Sequence, residues 1–338
     1  MDRRLLVGFA GATVALLLLV YAVGWDEVFA AAGDASLSVY ALAFVAAGVC
    51  QVFRSLVWSR LLGVVGEEVP HLLVLRIFLT GMFLKYVTPY GQVAAGPGIA
   101  YVLAQYTEAE YESDLATVVS ADFLNYVPYY SFGGVGFLYF VVQQPQLPDL
   151  GLFYVVIPLL VAVIGILLVL FWSRRGVVQR GLVGIAAGTR RLVAQVSTGL
   201  ADRISEQAVR DRLAGFYETL DLVSKDRRSV AIAVVYAHVG WFFLMLPVYI
   251  VALALGTHIP LGVAFLVVAL SKLGFLVPLP GGLGGVELVL AAMITLFVGL
   301  SPATATAIAI LYRLTAYWQT IALGGLCSAS LSVSSQTA

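Results

Sequence analysis

Charge is scarce in this chain. Lys, Arg, Asp and Glu together make up 11% of its 338 residues, and the formal net charge at pH 7 is zero. Soluble domains carry about 25% charged residues, so this chain cannot dress an ordinary water-facing surface. The even balance and the scatter of its basic residues exclude a nucleic-acid footprint, which needs a clustered basic face. Cysteine is nearly absent as well. Cys50 and Cys327 both fall inside apolar runs, which leaves neither a disulfide framework nor a zinc site. No nucleophile elbow, phosphate-binding loop, metal-binding His pair or dinucleotide fingerprint is present, and the case for an enzyme is correspondingly weak.

What the chain has in quantity is apolar sequence: 61% hydrophobic residues and a mean hydropathy of +0.97. This is the composition of a polytopic membrane protein. Membrane-crossing helices need about 20 mainly apolar residues, and such windows lie near 5–23, 38–59, 115–142, 151–172, 229–254 and 303–325. The first follows Met1-Asp2-Arg3-Arg4 and runs to Tyr21. It exceeds the apolar core of about 7–15 residues typical of a signal peptide, so an uncleaved first helix is expected.

Two apolar stretches, 71–104 and 260–299, are each broken near the middle. The second break is Val277-Pro278-Leu279-Pro280-Gly281-Gly282-Leu283-Gly284-Gly285-Val286-Glu287, with two prolines and four glycines in eleven positions. Proline removes a backbone donor and glycine weakens a helix. Non-helical backbone at membrane depth survives only where protein or a watered cavity satisfies it, and interrupted helices mark binding sites in transporters.

Basic residues orient the chain. Eleven Lys or Arg lie within 174–228, and Arg3, Arg4 and Arg60 mark further ends expected on the cytoplasmic side. All fall on one side only if 71–104 enters the membrane and turns back, and 260–299 does the same from the opposite face. The expected fold is therefore all-α: six full spans and two opposed re-entrant hairpins in a single membrane domain over 1–338. The pattern span, hairpin, span at 38–142 recurs inverted at 229–325. Lys85 with Thr88-Pro89-Tyr90-Gly91-Gln92 loosely echoes Lys272 with Leu279-Pro280-Gly281-Gly282-Leu283. The insert 174–228 is too polar to span. Val209, Leu213, Phe216 and Leu220 recur in it at helical spacing, as in a helix lying on an anionic membrane surface or in a solvated hairpin.

Pro280-Gly281-Gly282-Leu283-Gly284 with Glu287, then Leu311-Tyr312-Arg313 and Tyr317-Trp318, resemble the C-terminal signature of the lysylphosphatidylglycerol synthase transmembrane-region family, also called the flippase-like domain family. The break at Pro89-Tyr90-Gly91-Gln92 is similar too. The resemblance implies movement of aminoacylated or glycosylated lipids between leaflets, and archaeal members are linked to polyprenyl-phosphate sugar carriers. Gln92 stands where an acidic residue is common in the family. No soluble aminoacyl-transferring domain follows residue 325, so synthesis of lysyl lipid is not expected of this chain.

Charges inside spans cost roughly 2.5–3.5 kcal/mol each on insertion scales, so each needs a partner or a purpose. Arg313, deep in the last span with Tyr317 one turn on, either pairs with Glu287 to hold the hairpin or grips a lipid phosphate with its fork. Glu287 sits in the first turn after the break, where the helix dipole favours a carboxylate. Amides at Gly282, Gly284 and Gly285, next to Gly281, form a candidate anion nest. Lys272 either supplies that site with charge or snorkels to the surface. In the first half, Lys85 precedes Pro89, Gly91 and Gln92. Asp122, Asn125, Tyr126 and Tyr129 make one polar helix face, either a hydrogen-bonded seam between helices or the lining of a headgroup path. Arg54 lies deeper than Arg60 and either snorkels or meets an entering headgroup. His238 reads as a satisfied core histidine.

These residues point to a translocator for an anionic or polyprenyl-phosphate-linked lipid in the cell membrane, with both termini cytoplasmic. Neither cofactor nor metal is expected, no nucleic-acid partner is implied, and no oligomeric state follows. Competing readings are an intramembrane lipid-modifying enzyme and a scaffold that transports nothing.

Overall fold

The computed structural model describes residues 17, 21, 24–33, 35–88, 91, 95–143, 206–276 and 279–334. The expected spans at 5–23 and 151–172, most of the basic insert, Pro89, Gln92 and Pro278 lie outside them.

All regular structure among the described residues is helical. The elements are α1 (Trp25–Gly33), α2 (Leu37–Val64), α3 (His71–Val87), α4 (Gly96–Leu103), α5 (Tyr111–Gln143), α6 (Glu206–Lys225), α7 (Arg227–Ala254), α8 (Leu261–Ser271), α9 (Gly285–Val298), α10 (Pro302–Arg313) and α11 (Gln319–Ser334). Short 3-10 turns at Lys272–Leu276 and Pro280–Gly282 lie between α8 and α9, and a π turn at Leu314–Trp318 joins α10 to α11. Among the described residues three segments are long and apolar enough to cross a membrane: Leu37–Val64, Arg227–Ala254 and Pro280–Val298. α5 runs for 33 residues but carries Asp122, Asn125 and three tyrosines between 126 and 130, with Pro128 inside it. The residues 144–222 form a unit of their own, to which most of α6 belongs.

The packing of the remaining unit is regular. α2 and α7 form the most extensive pair. α5 packs on α8 as α11 packs on α3; α4 lies on α5 as α9 lies on α10. The arms of each broken segment also touch, α3 with α4 and α8 with α9. Gly274 lies so close to Gly285 and Val286 that a Cβ there would overlap their backbone. The chain therefore doubles back at the Pro-Gly break, because a straight helix would set these residues far apart.

The connections match in detail. α2 and α7 are 28 residues each, and α3 and α8 begin at the same interval after them. Val65-Gly66-Glu67-Glu68-Val69-Pro70 and Leu255-Gly256-Thr257-His258-Ile259-Pro260 take the same path. Gly66 and Gly256 both have positive φ (90° and 67°). Glu67 N–H donates to Leu62 O at 3.0 Å and Thr257 N–H to Ala252 O at 2.9 Å. Pro70 and Pro260 both cap the following helix with φ −55°, the ring presetting the entry angle.

Candidate functional site

Apart from Asp114, buried near the start of α5 where Thr107 Oγ1 donates to it, the described charges inside the bundle sort into two groups. Arg313 is buried among α9, α10 and the Pro280–Gly282 turn. Its Nε donates to Glu287 Oε1 at 2.8 Å and its Nη2 to Gly281 O at 2.8 Å. Its guanidinium carbon lies 4.0 Å from the Tyr317 ring centre. Glu287 is 1% exposed, so the pair is desolvated and each charge depends on the other. Lys85 on α3 donates to Asp122 Oδ2 on α5 at 2.5 Å. Both ion pairs tie one arm of a broken segment to a neighbouring helix.

Arg54 and Lys272 form the second group. Among the described residues neither is paired with a carboxylate, and Arg54 Nε is buried without a hydrogen-bond partner. Arg54 rests over Phe78 (5.6 Å) and Trp241 (5.9 Å), and Lys272 over Trp241 (5.7 Å) and Phe275 (5.3 Å). The two cations thus share one indole ring, which lies between α2 and the 3-10 turn after α8. Cation–π contact offsets part of the desolvation of a buried cation but does not neutralise it. Gly240, one residue before Trp241, lets α7 approach α2 at this point, since a Cβ there would press on Arg54 Cγ at 2.8 Å.

Both cations line a cavity of about 240 Å³ with Met82, Tyr86, Tyr126, Tyr129, Tyr130, Trp241, Leu244 and Phe275. Among the described residues no carboxylate is part of that lining. Its residues come from α2, α3 and α5 on one side and from α7 and the Lys272–Leu276 turn on the other, so both halves of the chain build it.

Of the residues singled out from sequence, Arg54, Lys272, Tyr126 and Tyr129 line the cavity. Arg313, Glu287, Tyr317, Gly281, Gly282, Gly284, Lys85, Asp122 and Asn125 do not. Asn125 Nδ2 donates to Arg54 O at 3.3 Å and Tyr129 Oη to Ala269 O at 3.1 Å. This half of the polar face is a seam between helices, with Tyr129 also reaching the cavity. His238 has partners for both ring nitrogens, Val234 O at 2.8 Å and Ser131 Oγ at 3.0 Å, as a core histidine should.

The glycine nest needs a correction. Gly282 N–H is not free: it donates to Leu279 O at 3.0 Å, because the chain closes a 3-10 turn there. Gly281 faces Arg313 with its carbonyl, and its φ of +58° places it in the left-handed region. A Cβ at Gly281 would overlap the Tyr317 ring, so this glycine serves close packing. In the first break, Gly91 N–H closes a turn onto Thr88 O at 2.9 Å. Tyr317 also meets Tyr86, ring centres 4.9 Å apart, and α3 touches the Pro280–Gly282 turn.

Sequence reasoning passed over Tyr86, Trp241 and Phe275. Each had a signal: Tyr86 follows Lys85 ahead of the break, Phe275 lies three residues after Lys272, and Trp241 is an indole deep within an apolar run.

Helices long enough to span, buried ion pairs and an uncompensated cationic cavity define a multi-pass membrane protein with an internal polar site. The chain belongs to the lysylphosphatidylglycerol synthase transmembrane-region family, whose profile matches residues 5–324. It is similar to a UPF0104 membrane protein of Methanothermobacter thermautotrophicus, 26% identical over 312 residues that cover 92% of this chain and 90% of that one. A UPF0104 membrane protein of Pyrococcus horikoshii is 23% identical over 327 residues, 96% of each chain.

Proposed function

We propose that this protein moves an anionic or phosphate-linked lipid headgroup between the leaflets of the cell membrane, and that Arg54 and Lys272 hold the headgroup on the way. One observation carries the reading. Two cations contributed by the two halves face a common cavity, and no described carboxylate compensates either of them. Arg54 is buried and Lys272 half-buried; a desolvated cation is costly, and an arriving phosphate supplies the missing counter-charge. The family's association with lipid-related membrane chemistry accords with this.

The architecture proposed for the task is an inverted repeat of 38–142 and 229–325 with two re-entrant hairpins. Its support is the helix pairing: exchanging the halves maps α2 onto α7, α3 onto α8, α4 onto α9 and α5 onto α10 with α11, and carries α5–α8 onto α11–α3, α4–α5 onto α9–α10 and α3–α4 onto α8–α9. Alternating access then comes from one repeat rocking against the other. Asp226, at the head of α7, lies within the field of Arg60 at the end of α2. That contact accords with a shared cytoplasmic side for Arg60 and the basic insert, and with cytoplasmic termini.

The test is reconstitution of purified protein into liposomes carrying lipids with a fluorescent acyl chain, read as loss of signal to a quencher outside. The parent protein should accelerate exchange of an anionic lipid over protein-free vesicles. Arg54→Gln and Lys272→Met should each slow it by about tenfold or more, the loss of one charge-assisted contact. Parent-rate exchange by a folded Arg54→Gln/Lys272→Met double variant would rule out this site.

A further inference from the structure

The bundle's internal charges leave a remainder. Lys85 cancels Asp122 and Arg313 cancels Glu287, each through a direct hydrogen bond. Arg54 and Lys272 stay uncancelled, and both lie against Trp241, no farther apart than the sum of their 5.9 and 5.7 Å distances to its centre. Asp122 contributes to the field at Arg54, but its carboxylate is engaged by Lys85. The other groups at the cavity wall are the hydroxyls of Tyr86, Tyr126, Tyr129 and Tyr130 and the apolar surfaces of Met82, Leu244 and Phe275. Cys50 is buried beside Arg54 as a thiol.

We infer that the cavity accepts phosphate-bearing headgroups without an ammonium group, and rejects zwitterionic and aminoacylated ones. The inference rests on the translocation reading above and adds the substrate class to it. A phosphodiester fits between the two cations, and glycerol or sugar hydroxyls meet the tyrosines. Ethanolamine or a lysyl ester places its ammonium a few atoms from that phosphate, inside the same cavity. There it meets Arg54 or Lys272 and finds no carboxylate in the wall. In a low-dielectric site like charges repel far more than in water, and such juxtapositions set specificity. The headgroup in the family's own name, a lysyl ester of phosphatidylglycerol with two ammonium groups, is therefore a poor ligand for this member.

The experiment compares three lipids with identical fluorescent acyl chains in neutral host vesicles: phosphatidylglycerol, phosphatidylethanolamine and lysylphosphatidylglycerol. Phosphatidylglycerol should exchange at least about tenfold faster than either ammonium-bearing lipid, and Lys272→Met should narrow that ratio. Equal exchange of all three above the protein-free rate overturns the selectivity and leaves translocation standing, as does a preference for an ammonium-bearing lipid. If none exchanges, translocation fails, and binding of the soluble dihexanoyl analogues to purified protein decides the selectivity. Tighter binding of the anionic analogue upholds it, and equal or no binding overturns it. The binding measurement on the parent protein also stands alone should Lys272→Met not accumulate.

Discussion

Removing Arg313 exposes the physics of the second broken segment. Arg313→Met leaves the Glu287 carboxylate, 1% exposed, without its cation, takes a donor from Gly281 O, and strips the 4.0 Å cation from the Tyr317 ring. Breaking one side of a buried pair costs on the order of 3–5 kcal/mol. Replacing both charges behaves differently, since well-packed apolar substitutes for a buried pair are often neutral or stabilising. In Arg313→Met/Glu287→Leu only the Gly281 carbonyl is left without its donor, at about 1–3 kcal/mol. Both variants lose that donor, so a double-mutant cycle should show the double variant more stable than Arg313→Met by the lone-charge cost, on the order of 3–5 kcal/mol. The assay is unfolding in mixed micelles by titration with sodium dodecyl sulfate, with lipid exchange measured on the same preparations. Because neither residue lines the cavity, the double variant should keep exchange within a few-fold of the parent rate. A double variant no more stable than Arg313→Met would refute the ion-pair reasoning. One that folds yet exchanges nothing would mean that this pair, and not Arg54 with Lys272, handles the headgroup.

Gly281→Ala should destabilise the protein by about 2 kcal/mol or more in the same titration, because φ of +58° costs an L-residue roughly 1–2 kcal/mol and the methyl group meets the Tyr317 ring; Gly299→Ala, with positive φ but open space around it, should cost less. In a cysteine-free background, Glu68→Cys and His258→Cys, both exposed at equivalent connections, should be labelled by an impermeant thiol reagent from opposite sides of the membrane; labelling from one side would end the inverted-repeat reading. Hydrogen bonds from the Ser229 hydroxyl and amide, helped by the nearby Arg60, hold the exposed Asp226 carboxyl below its ordinary value. A lowered folded-state value means stabilisation that is present above about pH 4 and lost as pH falls further. Asp226→Asn, which keeps a capping side chain, should therefore flatten the acid limb of a stability-versus-pH curve.

The likeness between the two halves was more legible at their connections than at their breaks. The echo between Thr88–Gln92 and Leu279–Leu283 is loose. The six-residue connections at 65–70 and 255–260 share apolar-Gly-x-x-apolar-Pro without a gap, because a left-handed glycine and a helix-starting proline are the only cheap way to turn this corner. Asn125 and Tyr129 were harder to assign from sequence. A polar face pointing into a bundle is equally compatible with a seam or a water path until the opposing helices are seen, and here α2 offers the carbonyl of Arg54 and α8 that of Ala269.

Sequence alone determined that the chain lies in a membrane, that 71–104 and 260–299 cannot be plain helices, and that every charge at membrane depth needs a reason to be there. Those conclusions follow from transfer free energies and backbone geometry, which act locally. Tertiary structure decided which charge answers which. Arg313 and Glu287, 26 positions apart, and Lys85 and Asp122, 37 apart, cancel only because α10 packs on α9 and the end of α3 reaches α5. Arg54 and Lys272 are left facing each other's field across Trp241 for the same reason. The cost of burying an ion demands a partner, but distance in space, which the linear order of residues does not record, selects it.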